Sequence, residues 1–396
     1  MRNTTRLTGT FASLFAFVCV AGSGCVAGDT NSDETASISD DKGPGAGAAE
    51  RALSDGPVMD MSPETPFAGA NGLPSGAPVL DPDASGAAAE VVSPASLALF
   101  SAPNPWTKNV KALVKSAASD AIVSWLSNAG GWGGGSMKID FGLHVLTADA
   151  STPKKTFTAT SEFYSPDCDH VPFPVPAGGA VEGERGYSCT MDGDCHLLVV
   201  DKPGNKLYEM WRANISSGVF KGGCAAVWDL AKSYPASLRG EGCTSADAGG
   251  FPMAALLFTP QEVQAGAITH AIRFILPNSR IRHMSYVHPG SHSTFSTSGG
   301  PNAPPYGVRL RLKASYPVQN LPSNGARVVA KAMQEYGMFL SDGGTIALTG
   351  ASDKFSSVKW ATVGVNSQSM KALKVTDFEV VDMGAPIPWS GDCARN

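Results

Sequence analysis

The composition of this chain changes sharply near residue 96, and that change limits where a folded core can form. Residues 26–96 are rich in Ala, Gly, Ser, Pro and Asp, with almost no aromatic residues and no hydrophobic period. Such a segment cannot bury enough apolar surface to offset its chain entropy. All seven tryptophans lie in residues 97–396, which are long enough for one large domain or two fused lobes. We predict a disordered linker over residues 25–96 and a single domain over residues 97–396.

The first 24 residues have the pattern of an export signal. Arg2 and Arg6 precede an apolar run over residues 11–21, which is too short to span a bilayer. Small residues then lead into Cys25, the pattern that lipoprotein signal peptidase accepts. We predict a lipoprotein signal peptide over residues 1–24 and acylation of Cys25, including palmitate, as a membrane anchor. A plain secretory cleavage near this point is the alternative.

The net charge of −5 belongs to the N-terminal segment. Residues 1–96 contain 12 acidic and 4 basic residues, which leaves 26 basic and 23 acidic residues, a net charge of +3, for residues 97–396. A bias this weak gives no reason to expect a nucleic-acid partner. Val26, directly after Cys25, favours sorting to the outer membrane or cell surface. We therefore expect membrane contact through the lipid anchor.

Six cysteines remain once Cys19 and Cys25 are assigned to the signal and the anchor: Cys168, Cys189, Cys195, Cys224, Cys243 and Cys393. An even number in an exported chain predicts up to three disulfides. Cys189 and Cys195 form a plausible local bridge, and the pairing of the other four stays open. No Cys-x-x-Cys pattern occurs, so we predict no structural zinc site and no cofactor.

Short β-rich segments separated by turn residues dominate residues 97–396. Gly and Pro make up 72 of the 396 residues, which suits many turns. The patterns predict strands over residues 137–146, 155–160, 196–201, 206–212, 225–230, 268–276, 308–316 and 345–349. They predict helices over residues 110–126 and 325–336. The predicted fold class is mainly β, a β-sandwich or jelly roll with two accessory helices.

One hairpin carries the clearest group of chemically active side chains. Its alternation predicts the cross-strand pairs Asp201 with Lys206, Val200 with Leu207, Leu198 with Glu209, and His196 with Trp211. An acid, an imidazole and an indole on one sheet face could form a sugar subsite, with Glu209 as acid, base or nucleophile. Trp211 would then be a stacking platform. The alternative is that Glu209 is solvated or pairs with a base such as Arg212.

A second stripe of charge lies in residues 308–316. There Arg309, Arg311 and Lys313 face one way and apolar residues face the other. Three cations on one strand repel one another unless carboxylates or a ligand neutralise them. This pattern predicts a seat for an acidic sugar chain or another anion. Internal ion pairing, or an edge strand protected by charge, is the alternative.

The remaining candidates are one acid, one arginine and three histidines. Asp247 could be a second catalytic carboxylate or could organise its own loop. His270 and Arg273 should point to opposite faces of one strand, so at most one of them reaches a given cleft. His288 and His292 lie in a loop whose Pro and Gly residues exclude helical metal ligation, and we predict no metal site. The resulting candidates are catalytic Glu209, Asp247, His196 and His270, and substrate-binding Arg273, Arg309, Arg311, Lys313, Trp211, His288 and His292.

Several segments together carry a family resemblance, among them TSADAG at residues 244–249, RLRLKAS at 309–315 and YGMFLSD at 336–342. With them, residues 102–383 resemble a family of uncharacterised extracellular bacterial proteins. The resemblance implies one intact exported domain and no particular mechanism. The cysteines depart from the family pattern and look like an added disulfide frame.

These observations favour a surface enzyme that acts on extracellular polysaccharide. A glycoside hydrolase needs two carboxylates across a cleft, for which Glu209 and Asp247 are the candidates. A polysaccharide lyase instead needs a cation to neutralise a uronate and a His or Tyr to take the proton. The candidates for those two roles are Arg309, Arg311, His270 and His288. A non-catalytic glycan-binding or adhesion protein and a structural envelope protein are the alternatives.

Overall fold

The computed structural model describes residues 97–191 and 193–396. The predicted signal peptide, Cys25 and the linker lie outside these residues. Within the described part, the prediction of a mainly β fold is confirmed, with 19 strands against three α-helices. No helix in this part is long and apolar enough to cross a membrane.

The strands are short and follow one another closely along the chain. In order they are β1 (Ile139–Leu143), β2 (Val145–Ala148), β3 (Lys154–Lys155), β4 (Thr158–Ala159), β5 (Phe173–Pro174), β6 (Leu197–Asp201), β7 (Lys206–Met210), β8 (Asn214–Ser216), β9 (Val219–Gly222), β10 (Ala225–Asp229), β11 (Gly240–Glu241), β12 (Ile272–Leu276), β13 (Ser285–Tyr286), β14 (Arg309–Leu312), β15 (Met338–Gly343), β16 (Leu348–Ala351), β17 (Phe378–Val380), β18 (Ile387–Pro388) and β19 (Ala394–Arg395). Every strand predicted from the sequence overlaps at least one of these.

The helices are α1 (Ser119–Asn128), α2 (Pro260–Ala265) and α3 (Asn324–Glu335). α3 lies within one residue of its prediction, because the Ser323 side chain accepts a hydrogen bond from the Ala326 amide at its start and Gly337 (φ 71°) follows its end. α2 was not predicted. It is a single short turn that begins with a capping box between Thr259 and Glu262.

Two sheets form the body of the described domain. The larger has the strand order β1-β16-β12-β15-β14-β17, and the smaller has the order β10-β7-β6-β2. Both sheets are mixed. The parallel pairs are β1 with β16 and β12 with β15 in the larger sheet, and β2 with β6 in the smaller one. The other four sheets have two or three strands each.

The two large sheets face each other across one hydrophobic cluster. From the six-stranded sheet it takes Leu143, Phe339 and Ala351, and from the four-stranded sheet Leu198, Leu207, Ala226 and Trp228. α1 and α3 cover the outer face of the six-stranded sheet through a second cluster. The outer face of the four-stranded sheet packs against the small sheets in a third. The space between the large sheets is where the charged groups described below are found.

The predicted hairpin forms in the predicted register. Asp201 pairs with Lys206, Val200 with Leu207, and Leu198 with Glu209. The Asp201 carboxylate accepts a hydrogen bond from the Gly204 amide at 3.3 Å, so it organises the turn. His196 directly precedes β6 and lies outside the ladder.

The predicted helix over residues 110–126 is wrong over its first half. α1 begins only at Ser119, and residues 104–116, which we call the N-terminal strap, run across other elements. The Val110 amide donates to the carbonyl of Glu335, and the Ser116 amide donates to that of Val380. Because the Ser116 amide bonds to a distant carbonyl, the i to i+4 ladder of a helix is broken within the predicted span.

Three disulfides form, as the even number of cysteines predicted. Cys189–Cys195 is the local bridge expected from the sequence. The other two are Cys168–Cys224 and Cys243–Cys393. The last of these ties the loop after β11 to the C-terminal segment.

Candidate functional site

A buried guanidinium lies at the centre of the charged groups between the two large sheets. Arg273, in β12, is 3% exposed. Its Nε and Nη2 donate to Oδ1 of Asp247 at 3.1 and 2.8 Å, and Nη2 also donates to Oδ2 of Asp342 at 2.8 Å. Since Nη2 reaches both oxygens, they can be no further apart than twice 2.8 Å. Arg273 thus joins one carboxyl group from β15 to another from the loop after β11.

The two carboxyl groups on Arg273 differ in their access to solvent. The Asp247 side chain is 0% exposed, whereas that of Asp342 is 19% exposed. Burial, opposed by Arg273 and reinforced by the Asp247 charge, raises the pKa of Asp342 to about 7. A carboxyl group with such a pKa is suited to general acid catalysis near neutral pH. Asp247 is placed to support Arg273 and cannot meet a substrate itself.

A second ion pair lies close to the first. His196 is 3% exposed. Its Nδ1 donates to Oε2 of Glu182 at 2.6 Å, and its Nε2 donates to the Ala246 carbonyl at 3.1 Å. Two acceptors require a proton on both ring nitrogens, so the ring is an imidazolium. Burial opposes that charge, but Glu182 outweighs burial and raises the pKa of His196 to about 9.

The pKa values of Glu182 and Asp342 are shifted in opposite directions. Burial opposes ionisation of Glu182, but the His196 charge and hydrogen bonds outweigh it and lower the pKa of Glu182 below its ordinary value. The Glu182 side chain is 21% exposed, similar to that of Asp342. The charges of both carboxyl groups act on Arg273 and on His196. Near pH 7 these shifts favour the ionised form of Glu182 and leave Asp342 about half protonated.

Two more half-buried carboxyl groups complete the site. Asp140, in β1, accepts a hydrogen bond from the Gly142 amide at 2.9 Å. Burial, and then the Glu182 charge, raise the pKa of Asp140 to about 6. Asp194 accepts a hydrogen bond from Trp211 Nε1 at 3.0 Å, and its charge acts on His196 and Asp342. We call Asp140, Glu182, Asp194 and Asp342, with Arg273 and His196, the carboxylate site.

A pocket of about 210 Å³ opens beside Glu182 and Asp194. Its lining residues are Glu182, Gly183, Glu184, Met191, Gly193, Asp194 and Cys195. The carboxylate of Glu184 ties its walls together, because it accepts hydrogen bonds from the Thr190 amide, the Thr190 hydroxyl and the Met191 amide. The Cys189–Cys195 disulfide closes the same loop. The pocket therefore has a fixed wall that carries carboxylates.

Four of the predicted site residues belong to this region. Asp247, Arg273 and His196 make the contacts described above. Trp211 is half-buried, donates to Asp194, and has the Arg212 guanidinium 5.8 Å from its ring centre. Trp211 therefore positions the Asp194 carboxylate, whereas the sequence predicted a stacking platform for a sugar.

Glu209 does not reach a surface that a substrate could contact. It is 0% exposed, and its oxygens accept hydrogen bonds from Trp228 Nε1 at 3.0 Å and from the Ala254 amide at 2.8 Å. Burial raises the pKa of Glu209 to about 7. Direct acid, base or nucleophilic catalysis by Glu209 therefore does not fit the structure, because the segment around Ala254 covers that face of the hairpin.

The Arg309, Arg311 and Lys313 stripe is not a seat for an anion. Arg309 is 0% exposed and donates to the carbonyls of Tyr336, Pro105 and Lys108. Arg311 pairs with Glu379 and donates to carbonyls of the N-terminal strap. Lys313 donates to the Thr376 carbonyl. Internal pairing, the alternative raised from the sequence, accounts for this stripe.

The other three predicted histidines lie in contacts of their own. His270 pairs with Glu262 at 3.0 Å. His288 donates to the half-exposed carboxylate of Glu241 at 2.9 Å, which also accepts the Tyr286 hydroxyl. His292 contacts the Ala248 carbonyl through Nδ1, and burial lowers its pKa to about 4. Within the described residues, none of these histidine contacts reaches a member of the carboxylate site.

Asp140, Glu182, Asp194 and Asp342 were not among the residues predicted from the sequence. Asp140 and Asp342 each interrupt an apolar strand, and an acid inside such a strand is a usable signal for a buried charged site. Glu182 and Asp194 lie in loops whose sequence shows no such pattern. Only the chain's tertiary course brings them to His196.

Two groups of ligand-type side chains lie close enough to hold a metal ion in the described part of the chain. They are Asp167 with Cys243 and Cys393, and Glu184 with Cys189 and Cys195. In both groups the two cysteines are joined as a disulfide, so they offer no thiolate. We assign no metal to either.

Comparison of the chain with protein-family models, with curated proteins and with solved structures finds no match.

Proposed function

We propose that this protein is a cell-surface glycoside hydrolase that acts on extracellular polysaccharide, with Asp342 as general acid and Glu182 as the ionised carboxylate. The observation that carries the proposal is that the pKa values of two partly exposed carboxyl groups, Glu182 and Asp342, are shifted in opposite directions while both groups have Arg273 and His196 as neighbours. Hydrolysis of a glycosidic bond requires one carboxyl group that is protonated and one that is not.

The neighbouring residues suit supporting roles in this reaction. Arg273 holds Asp342 in place through Nη2. His196, as an imidazolium, keeps Glu182 ionised although burial opposes that charge. Glu182 would then act as nucleophile, or as the base that activates water. Asp140 lies near enough for the Glu182 charge to raise its pKa.

Hydrolysis is favoured over β-elimination by the position of the arginines. A lyase must neutralise a uronate carboxylate with a cation. Arg309 and Arg311, the residues expected to do so, are engaged with main-chain carbonyls and Glu379. Arg273 is held between Asp247 and Asp342. None of the three offers a free guanidinium edge to a uronate.

The test is to incubate the purified full-length chain in detergent with a panel of neutral, amino-sugar and uronate polysaccharides. We expect new reducing ends without the ultraviolet absorbance of an unsaturated product. Asp342→Asn and Glu182→Gln should each lower kcat by about 10²- to 10⁴-fold, while Asp120→Asn, at an exposed ion pair with Lys115, should not. Activity of the unmodified protein should fall as the pH rises through about 7, because Asp342 then loses its proton. Retention of polysaccharide without cleavage would instead indicate a binding protein.

The proposed location depends on Cys25, which lies outside the described residues. If Cys25 carries the lipid anchor, Cys25→Ala should move the protein from the membrane fraction to the medium or periplasm with its thermal unfolding unchanged. Fractionation followed by immunoblotting measures this. A Cys25→Ala protein that stayed in the membrane fraction would contradict both the anchor and the proposed location.

A further inference from the structure

The surface beside the C-terminal segment carries an exposed aromatic ring that the carboxylate site does not use. Phe295 is 42% exposed, and its ring centre lies 4.8 Å from that of Trp389. Trp389 itself is only 8% exposed, and its Nε1 donates to the Gly242 carbonyl at 3.1 Å. Trp389 therefore supports Phe295 from the protein side, and the rest of the Phe295 ring meets solvent.

A fixed carboxylate is the second exposed feature of this surface. The Glu241 side chain is 49% exposed, and it accepts hydrogen bonds from the Tyr286 hydroxyl at 2.7 Å and from Nε2 of His288 at 2.9 Å. Burial opposes the charge of Glu241, but these two bonds outweigh it and lower the pKa of Glu241. The carboxylate is thus ionised at neutral pH, held from behind and open to donors from solvent.

Strand pairing places the ring and the carboxylate beside each other. β13 and β18 are antiparallel, and Tyr286 lies opposite Ile387. Trp389 is two residues beyond Ile387, so it shares a face with Tyr286 as its diagonal neighbour, roughly 7–8 Å away at the backbone. The bond from Trp389 to Gly242 agrees with this, because Gly242 directly follows Glu241 in the chain. The exposed ring and the exposed carboxylate therefore lie on one surface.

Phe295, Glu241 and His288 form what we call the C-terminal patch, and within the described residues none of their contacts given above involves a member of the carboxylate site. We propose that the C-terminal patch binds a neutral sugar ring of an extracellular polysaccharide, as a second site apart from the carboxylate site. One face of a sugar ring consists of C–H bonds, which pack against an aromatic ring, while its hydroxyls donate to a carboxylate. A uronate would instead be repelled by the Glu241 charge. This binding does not require the carboxylate site to be catalytic.

Affinity electrophoresis of the full-length chain in non-ionic detergent measures this binding, in native gels that contain hydroxyethylcellulose, xylan, galactomannan or polygalacturonate. We expect at least one of the three neutral polysaccharides to retard the protein, and polygalacturonate to retard it less. Phe295→Ala should weaken binding by about tenfold, and Phe295→Trp should restore it. Glu241→Gln, which removes the charge and keeps the shape, should weaken binding by about fivefold. Val219→Ala, at a 51% exposed apolar side chain on β9, is the control and should bind normally.

Asp342→Asn separates the two sites, because it should be retarded as strongly as the unmodified protein if the patch binds. Retardation that is lost in Asp342→Asn and kept in Phe295→Ala would overturn the patch and leave the hydrolase proposal standing. Retardation that requires Phe295, without cleavage of any polysaccharide, would support the patch and overturn the hydrolase. No retardation by any neutral polysaccharide, or stronger retardation by polygalacturonate, would overturn the neutral-sugar site.

Discussion

His196 shows how one buried side chain can fix the charge of a site. Its two ring protons are both used, on Glu182 and on the Ala246 carbonyl, and this arrangement persists only while the ring is charged. The folded pKa of about 9 lies above the ordinary value of 6.5. The protonated ring therefore contributes stability that is fully present below pH 6.5 and is lost as the pH rises through about 9.

This gives a prediction for folding stability in mildly alkaline solution. The free energy of unfolding should fall between about pH 7 and 9, because part of the His196 pKa shift lies in this range. The expected fall is about 1.4 kcal/mol for each pH unit. Asp342 and Glu209, with folded pKa values of about 7, have finished titrating by about pH 8, so the decline above pH 8 belongs to His196. Urea unfolding at both pH values measures it. His196→Gln should remove the decline, and an equal decline in that variant would show that another group titrates.

At the scale of single residues, the sequence could predict where charge enters the sheets but not which charges meet solvent. Glu209 and Arg273 stand out because they interrupt apolar strands, and both lie between the large sheets. Whether Glu209 is accessible depends on the amide of Ala254, which is 45 residues away along the chain. No local pattern carries that information.

The N-terminal strap shows the same limit at the scale of an element. Its apolar spacing fits a helix, and the sequence alone gives no reason to reject one. The carbonyls of Val110, Lys111 and Leu113 accept hydrogen bonds from Nη1 of Arg311, about 200 residues later. The guanidinium thus competes with the helix for the same acceptors. Hairpin register, in contrast, is set by a local turn and was predicted correctly for β6 and β7.

Removing this guanidinium should therefore destabilise the whole element. Arg311→Met leaves the strap carbonyls and the Glu379 carboxylate, which is 20% exposed, without their partner. We expect a loss of about 2–4 kcal/mol in the free energy of unfolding. Lys313→Met, at an exposed contact directly after the same strand, should cost no more than about 0.5 kcal/mol. Similar urea midpoints for the two variants would contradict the clamping role of Arg311.

At the scale of the whole molecule, the three disulfides serve different parts of the domain. Cys243–Cys393 closes a loop with a sequence separation of 150 that contains no other cysteine. Cys189–Cys195 closes one of only 6, and that loop lies inside the loop of Cys168–Cys224. The sequence could predict the number of bridges and the local one. The two long bridges depend on the arrangement of the sheets, which short-range patterns do not encode.

Stability and activity should respond in opposite order when these bridges are removed. In the chain-entropy model, a loop of 150 residues contributes about 5 kcal/mol and one of 6 residues about 2 kcal/mol. The paired change Cys243→Ala with Cys393→Ala should thus lower the free energy of unfolding by about 3 kcal/mol more than Cys189→Ala with Cys195→Ala. The second pair should cost more activity, because Cys195 lies between Asp194 and His196 and lines the pocket. Calorimetry and the hydrolysis assay on both variants test this order. If loss of the short bridge left hydrolysis intact, the pocket wall would not need it to hold Asp194 in place.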